Sequence, residues 1–169
     1  IACHGYRGTP SRDFSVGAEI YRSMGCALLL IEERGQCGSA GHTITFGAME
    51  KYDVLLWTRW AADRFGGIPI LLGGISMGGY GACTNGLRWR DTFSRIVMLS
   101  PAIDVTDLLS DRDGSLPNQL FSAWMGDEAS YRESWMNPRY SLLKAKEQGK
   151  ALPPMFLCCG RQDAPLYDM

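Results

Sequence analysis

The sequence predicts an α/β domain, a mostly parallel sheet with helices on both faces. Three observations carry that prediction. Short apolar runs alternate with segments of helical period along most of the chain. The runs are continuous and do not alternate with polar residues, the pattern of strands buried on both faces. Finally, one run ends in glycines and passes directly into a helix-period segment, through Gly73-Gly74-Ile75-Ser76-Met77-Gly78-Gly79.

The elements follow in order. Ile1–Cys3 is expected to be the first strand, and Phe14–Met24 a helix with Val16, Ile20 and Met24 at helical spacing. Cys26–Ile31, the longest apolar run, is the second strand; it is far shorter than the roughly 20 residues that span a bilayer, so no membrane partner is expected. Phe46–Phe65 reads as a helix with Met49, Tyr52, Leu56 and Trp60 on one face, stopped by Gly66-Gly67. Pro69–Gly73 is the third strand, with proline tolerable only as its first residue. A helix begins near Gly78 and runs to about Trp89, and Ile96–Ser100 and Met155–Cys159 complete the strands. Right-handed crossovers put the strand carboxyl ends on one edge, where open α/β sheets bind ligands. Residues 102–150 break the rhythm. They contain Asp111-Arg112-Asp113-Gly114-Ser115, then Leu120, Phe121, Trp124, Met125, Tyr131, Trp135 and Met136, and are expected to form a partly helical, lid-like insertion within a single domain over 1–169.

The 169 residues suffice for one sizeable core and are too few for two ordinary domains. Apolar residues at 46% against 21% charged exclude wholesale disorder. Lys plus Arg number 17 against 18 Asp plus Glu, a net charge of -1, so no basic excess exists to neutralise a nucleic-acid backbone. Arg88-Trp89-Arg90 reads as a solvated helix end. No basic region precedes an apolar one at Ile1, so no signal peptide is expected. The cysteines at 3, 26, 37, 83, 158 and 159 form no CxxC and no metal-ligand spacing with His4 and His42. A reduced, cytoplasmic protein without a disulfide framework is the expectation. The chain opens inside an apolar run and stops just after Gly160-Arg161-Gln162-Asp163, so both ends read as cut.

The chemistry centres on Gly74-Ile75-Ser76-Met77-Gly78, a G-x-S-x-G between a strand and a helix. A nucleophile on so sharp a turn needs strained backbone angles and neighbours without bulk two residues either side; glycine meets both demands and leaves the serine oxygen exposed. The helix N-terminus behind it adds unpaired N–H groups where an oxyanion forms. The competing reading is a glycine-rich connection with a capping serine. A P-loop and a G-x-G-x-x-G dinucleotide fingerprint are both absent. The loop His4-Gly5-Tyr6-Arg7-Gly8 ends the first strand. Its Tyr6 N–H and the N–H of Met77 are the candidate oxyanion hole, in which one lost donor costs roughly 3 kcal/mol. His4 is expected to orient that loop, and His42 to be exposed. Asp163, after the last strand, is the candidate acid that orients a histidine, with Asp104 as runner-up; Glu32 and Glu33 are assigned to loop structure. In the chain order Ser, Asp, His, the base lies beyond Asp163. Without it turnover falls by about six orders of magnitude, so this chain is expected to be nearly inert as it stands.

These residues resemble the α/β-hydrolase superfamily over nearly the whole chain. Cys3-His4-Gly5-Tyr6-Arg7-Gly8-Thr9, Glu33-Arg34-Gly35-Gln36-Cys37-Gly38-Ser39 and Thr45-Phe46-Gly47 are similar to bacterial hydrolases of the serine-peptidase-like S9 type. There the loop after His-Gly supplies an oxyanion donor, which implies Tyr6. Gln36-Cys37 stands where that pattern has His-Gly, which argues against a role for its loop. Gly78-Gly79-Tyr80-Gly81-Ala82, Tyr140-Ser141-Leu142-Leu143 and Leu152-Pro153-Pro154 through Asp163 resemble tributyrin esterases and S-formylglutathione hydrolases, which implies Asp163 as the triad acid. The two halves thus resemble different branches joined near the serine. The resemblance implies an incomplete α/β-hydrolase fold lacking its first strands and the last strand with its histidine loop. It implies a serine esterase working through an acyl-enzyme on a small-molecule ester or acyl substrate, with the aromatic segment 102–150 walling the pocket. No metal or organic cofactor is needed, and the oligomeric state is open. The rivals are the same machinery aimed at peptides or thioesters, and a non-catalytic α/β domain that binds a ligand.

Overall fold

A computed structural model describes residues 1–103, 105–106 and 116–161. Its strands are β1 (Ala2–Cys3), β2 (Leu30–Ile31), β3 (Leu71–Ile75), β4 (Arg95–Leu99) and β5 (Met155–Cys158). They form one sheet of order β2-β1-β3-β4-β5, and every adjacent pair is parallel. The helices are α1 (Pro10–Asp13), α2 (Ser15–Ser23), α3 (Glu50–Phe65), α4 (Met77–Arg88), α5 (Leu116–Met125), α6 (Glu128–Arg132) and α7 (Pro138–Glu147). None is long and apolar enough to cross a membrane among the described residues.

Local chemistry sets several helix boundaries. Thr9 and Asn137 each accept an N–H of the first turn through the side chain and precede a proline at the first helical position. Asp127 caps α6 in the same way, and Gly66, at φ 56°, ends α3.

The strand order creates the site. From β1 the chain crosses to β2 on one side, then returns past β1 to β3 and continues outward through β4 to β5. The loops leaving β1 and β3 therefore diverge in opposite directions, and the crevice between them is the switch point at which such sheets hold ligands. The pairing of Cys3 with Gly74 sets the ends of these two strands level.

The main core joins Ile1, Cys3, Ile31, Leu72, Ile96 and Met98 from the sheet to Val54 of α3 and Ala82, Cys83 and Leu87 of α4. Leu72 and Ile96 are wholly buried, each worth roughly 1.5–3 kcal/mol over the exposed side chain. α4 is the central helix, buried from Met77 to Leu87 except at Gly81.

Three expectations need correction. The run Cys26–Ile31 pairs as a strand only at Leu30–Ile31. β2 and β5 are edges, and Leu30, Phe156 and Leu157 are exposed, so these runs are not buried on both faces. The helix expected from Phe46 starts at Glu50, because Phe46 at φ 48° and Gly47 at φ 97° form a turn. The face carrying Met49, Tyr52, Leu56 and Trp60 points outward, and α3 buries Glu50, Val54, Thr58 and Ala61. Three of those four side chains are small enough to bring the helix close to the core. Val16 and Ile20 of α2 and Met24, which follows it, are likewise exposed.

Candidate active site

β3 delivers Gly74 and Ile75 to the turn and α4 departs at Met77, so Ser76 alone makes the bend. Its backbone lies at φ 53°, ψ −117°, a left-handed conformation costing of order 1–3 kcal/mol in a non-glycine residue. The flanking glycines are required by contact. A Cβ on Gly74 would stand 2.0 Å from the Gly78 carbonyl oxygen, and one on Gly78 would stand 2.2 Å from that of Cys3. The Ser76 N–H extends the β4 ladder to the Leu99 carbonyl, and its carbonyl accepts the Tyr80 N–H that starts α4. Although Ser76 occupies the N-cap position, its half-buried side chain makes no capping bond. The capping-serine reading therefore fails.

The His4–Gly8 loop runs directly past this elbow: a Cβ built on Gly5 would lie 3.4 Å from Ser76 Cβ. Three amides of the loop are used internally. Gly5 N–H donates to Asp13 Oδ2, Arg7 N–H to Gln36 Oε1, and Gly8 N–H to the Gly5 carbonyl. The Tyr6 N–H between them donates to no described residue, and neither does the N–H of Met77 at the first position of α4. The Tyr6 side chain packs against the cluster containing Met77, and its ring stacks on Phe46 at 5.6 Å.

His4 is fully buried. Its Nε2 accepts the Glu33 N–H at 3.1 Å, so Nδ1 carries the proton and donates to the Gly5 carbonyl at 2.8 Å. Both nitrogens are thus committed to tying the ends of β1 and β2 together, the loop-orienting role expected of it. His42 is exposed. Glu32 accepts the Gly38 N–H. Burial pushes the Glu33 carboxyl well up, with Glu50 and Asp53 adding to the shift.

Four bracing residues escaped sequence reasoning. Asp13 holds Gly5; it sits at the end of the short helix α1, where no hydrophobic period marks it. Buried Glu50 gathers the Thr45 N–H, the Thr45 hydroxyl and the Gly47 N–H, fixing the turn that holds Phe46 under Tyr6. A Thr-x-Gly stretch just before a glutamate at a helix start was the available signal. Gln36-Cys37 also has a role, against expectation: besides the Gln36 bond to Arg7, the Cys37 thiol donates to the Gly8 carbonyl at 3.3 Å.

Asp163 and Asp104 lie outside the described residues. The strand that leads to Asp163 is level with the elbow, since Leu99 pairs with both Ile75 and Cys158. Above the elbow, Phe46, Met77, Tyr80, Val105, Met125, Tyr131 and Met136 form a second apolar cluster. Tyr80 of α4 donates its hydroxyl to the Met136 carbonyl, anchoring part of the 102–150 segment over that helix. Trp135 is contacted by Lys51 and Arg88, whose charges lie 4.2 and 4.5 Å from its ring centroid, while Trp124 is exposed. No group of three His, Cys, Asp or Glu among the described residues is placed to hold a metal ion.

Residues 1–152 match the model of the family described as serine aminopeptidase, S33. An acetyl esterase of Caldicellulosiruptor saccharolyticus is 31% identical over 96 residues, covering 54% of this chain and 36% of the esterase. The fluorophosphonate-binding serine hydrolase F of Staphylococcus aureus matches with a TM-score of 0.64 at 18% identity, over 96% of this chain and 66% of its own. An esterase of Pyrococcus furiosus, Pf2001, gives 0.62 at 19%, over 94% of this chain and 72% of its own. The S-formylglutathione hydrolase of Staphylococcus aureus gives 0.60 at 19%, over 95% and 63%. These three structures share the fold. The chain spans 36% of the length of the curated esterase and about two thirds of the first two structural relatives.

Proposed function

The chain belongs to the serine aminopeptidase S33 family of α/β hydrolases, and from that premise we propose that it is a serine hydrolase acting on small carboxylic esters. The observation that carries the reading is Ser76: a strained, uncapped hydroxyl on a strand-to-helix bend, with the Tyr6 loop packed against it. The acetyl esterase relative supports an ester as the substrate.

In the proposed reaction Ser76 Oγ attacks the ester carbonyl carbon while its proton passes to a histidine. The Tyr6 and Met77 N–H groups stabilise the tetrahedral oxyanion. The carbon–oxygen bond breaks, the alcohol leaves with the histidine's proton, and water then hydrolyses the acyl-Ser76 ester by the same steps. Asp163 orients the histidine and stabilises its charged form. We assign the base to a histidine beyond Asp163 in the natural chain, because His4 has both ring nitrogens bonded away from Ser76. Residues 102–150 act as the pocket wall of a single domain. The free thiols, with Cys26, Cys37 and Cys158 exposed, suit a reducing compartment and a cytoplasmic protein.

A second reading, cleavage of peptides or thioesters by the same groups, draws on the description of the matched family. The natural chain carrying the downstream histidine tests both. A fluorophosphonate probe is expected to label Ser76 and not the Ser76→Ala variant, and a short-chain aryl ester to turn over faster than an aminoacyl anilide. Preference for the anilide supports the peptidase reading. A folded protein that takes no label at Ser76 is a binding module, and the enzymatic proposal fails.

A further inference from the structure

We propose that Asp13 is a positioning residue of this reaction, fixing the His4–Gly8 loop so that the Tyr6 N–H faces the oxyanion formed at Ser76. The inference rests on the proposed serine hydrolase reading and adds a residue to it.

Two peptide planes set the direction of the Tyr6 N–H. Gly5 joins them, and glycine has the widest choice of backbone angles of any residue. The plane before it carries the Gly5 N–H, which Asp13 Oδ2 accepts at 2.8 Å. The plane after it carries both the Gly5 carbonyl and the Tyr6 N–H, which point in opposite directions across a trans peptide. Two donors, His4 Nδ1 and the Gly8 N–H, each 2.8 Å away, hold that carbonyl. They turn the Tyr6 N–H the other way, and with Asp13 holding the first plane both torsions at Gly5 are fixed. Without Asp13 the first plane is released, and the Tyr6 amide loses the preorganisation on which an oxyanion hole depends.

The carboxylate is built into the loop. Its side chain is 8% exposed, and Arg12 Nε bonds Oδ1 at 2.8 Å, offsetting a negative charge held near a developing oxyanion. A Cβ on Gly8 would fall 2.4 Å from Oδ2, so Gly8 is the opening through which the carboxylate enters. The groups that bear on its charge are Arg12 of α1, His4 at the end of β1 and Cys37 of the loop after β2. Burial raises the Asp13 carboxyl, but the Gly5 N–H and Arg12 together bring it below the usual carboxylate range.

The test is steady-state ester hydrolysis by the natural chain and three variants, with fluorophosphonate labelling of Ser76 as the reference. Asp13→Ala is expected to lower kcat at least about tenfold with KM within about twofold, the signature of an interaction made in the transition state. Asp13→Asn, which keeps an acceptor for the Gly5 N–H, should recover most of that loss. Gly8→Ala leaves Asp13 in place but crowds both its carboxylate, at 2.4 Å, and the Gly5 carbonyl, at 2.9 Å, and should lower kcat at least as far. A kcat within twofold of wild type in Asp13→Ala, or a loss carried by KM, overturns the role. If Asp13→Ala does not fold, an unchanged kcat in Gly8→Ala overturns it equally. A wild-type chain unlabelled at Ser76 overturns the serine hydrolase reading itself. A labelled, active wild type with unaffected variants overturns only the role of Asp13.

Discussion

Alanine at Gly74 should destabilise the protein, whereas the same change at Gly81, seven residues on, should stabilise it. A Cβ at Gly74 would lie 2.0 Å from the Gly78 carbonyl oxygen, 2.2 Å from its carbon and 2.6 Å from the Gly79 nitrogen. All three are backbone atoms at the start of α4, so no side chain can rotate away. Restoring an ordinary 3.4 Å contact requires a displacement of about 1.4 Å between strand and helix in a close-packed region. Overpacking of this kind costs typically 1–3 kcal/mol, and the rigid neighbours place Gly74→Ala at about 3 kcal/mol. Gly81 lies within α4 with nothing within 4 Å of its Cβ position. Alanine there gains about 0.5–1 kcal/mol by restricting the unfolded chain. In a thermal melt these correspond to a loss of about 6–12 °C for Gly74→Ala and a gain of about 1–4 °C for Gly81→Ala. Urea titration of the same proteins gives the free energies directly. A Gly74→Ala protein within about 0.5 kcal/mol of wild type would refute the contact argument for the elbow.

Ser76→Gly removes a left-handed non-glycine residue and should stabilise the fold by about 1 kcal/mol in urea while abolishing hydrolysis; a destabilised variant would show that the bend is unstrained. Glu33 is buried beside Glu50 and Asp53 with its carboxyl raised well above 4.5. The folded protein therefore keeps a proton that the unfolded chain releases, and stability falls as pH rises from about 4.5 through the folded-state pKa. Glu33→Gln should flatten that decline and be more stable than wild type at pH 8, with the gap shrinking at pH 5. Equal pH slopes for the two proteins in denaturant titrations would contradict this.

Much of the architecture was legible in the chain because it depends on local pattern. Apolar runs separated by helical periods mark strands joined by covering helices, and all five expected strands have counterparts in one parallel sheet. The elbow was legible for a stronger reason: a strand turning into a helix through one residue leaves no room for a Cβ two residues away on either side, so glycine spacing records the geometry directly. Tertiary structure decided the rest. Periodicity sorts the residues of α3 onto faces, but which face turns inward depends on how closely the helix approaches its neighbours, and the stripe containing Val54, Thr58 and Ala61 won over the larger Tyr52, Leu56 and Trp60. The bracing of the His4–Gly8 loop was hidden for another reason. Asp13, Glu33 and Gln36 act on it through single hydrogen bonds across 8 to 29 residues of sequence. One directional bond between distant residues leaves no repeating trace in a sequence, and it takes effect only once the sheet has set the ends of β1, β2 and β3 side by side.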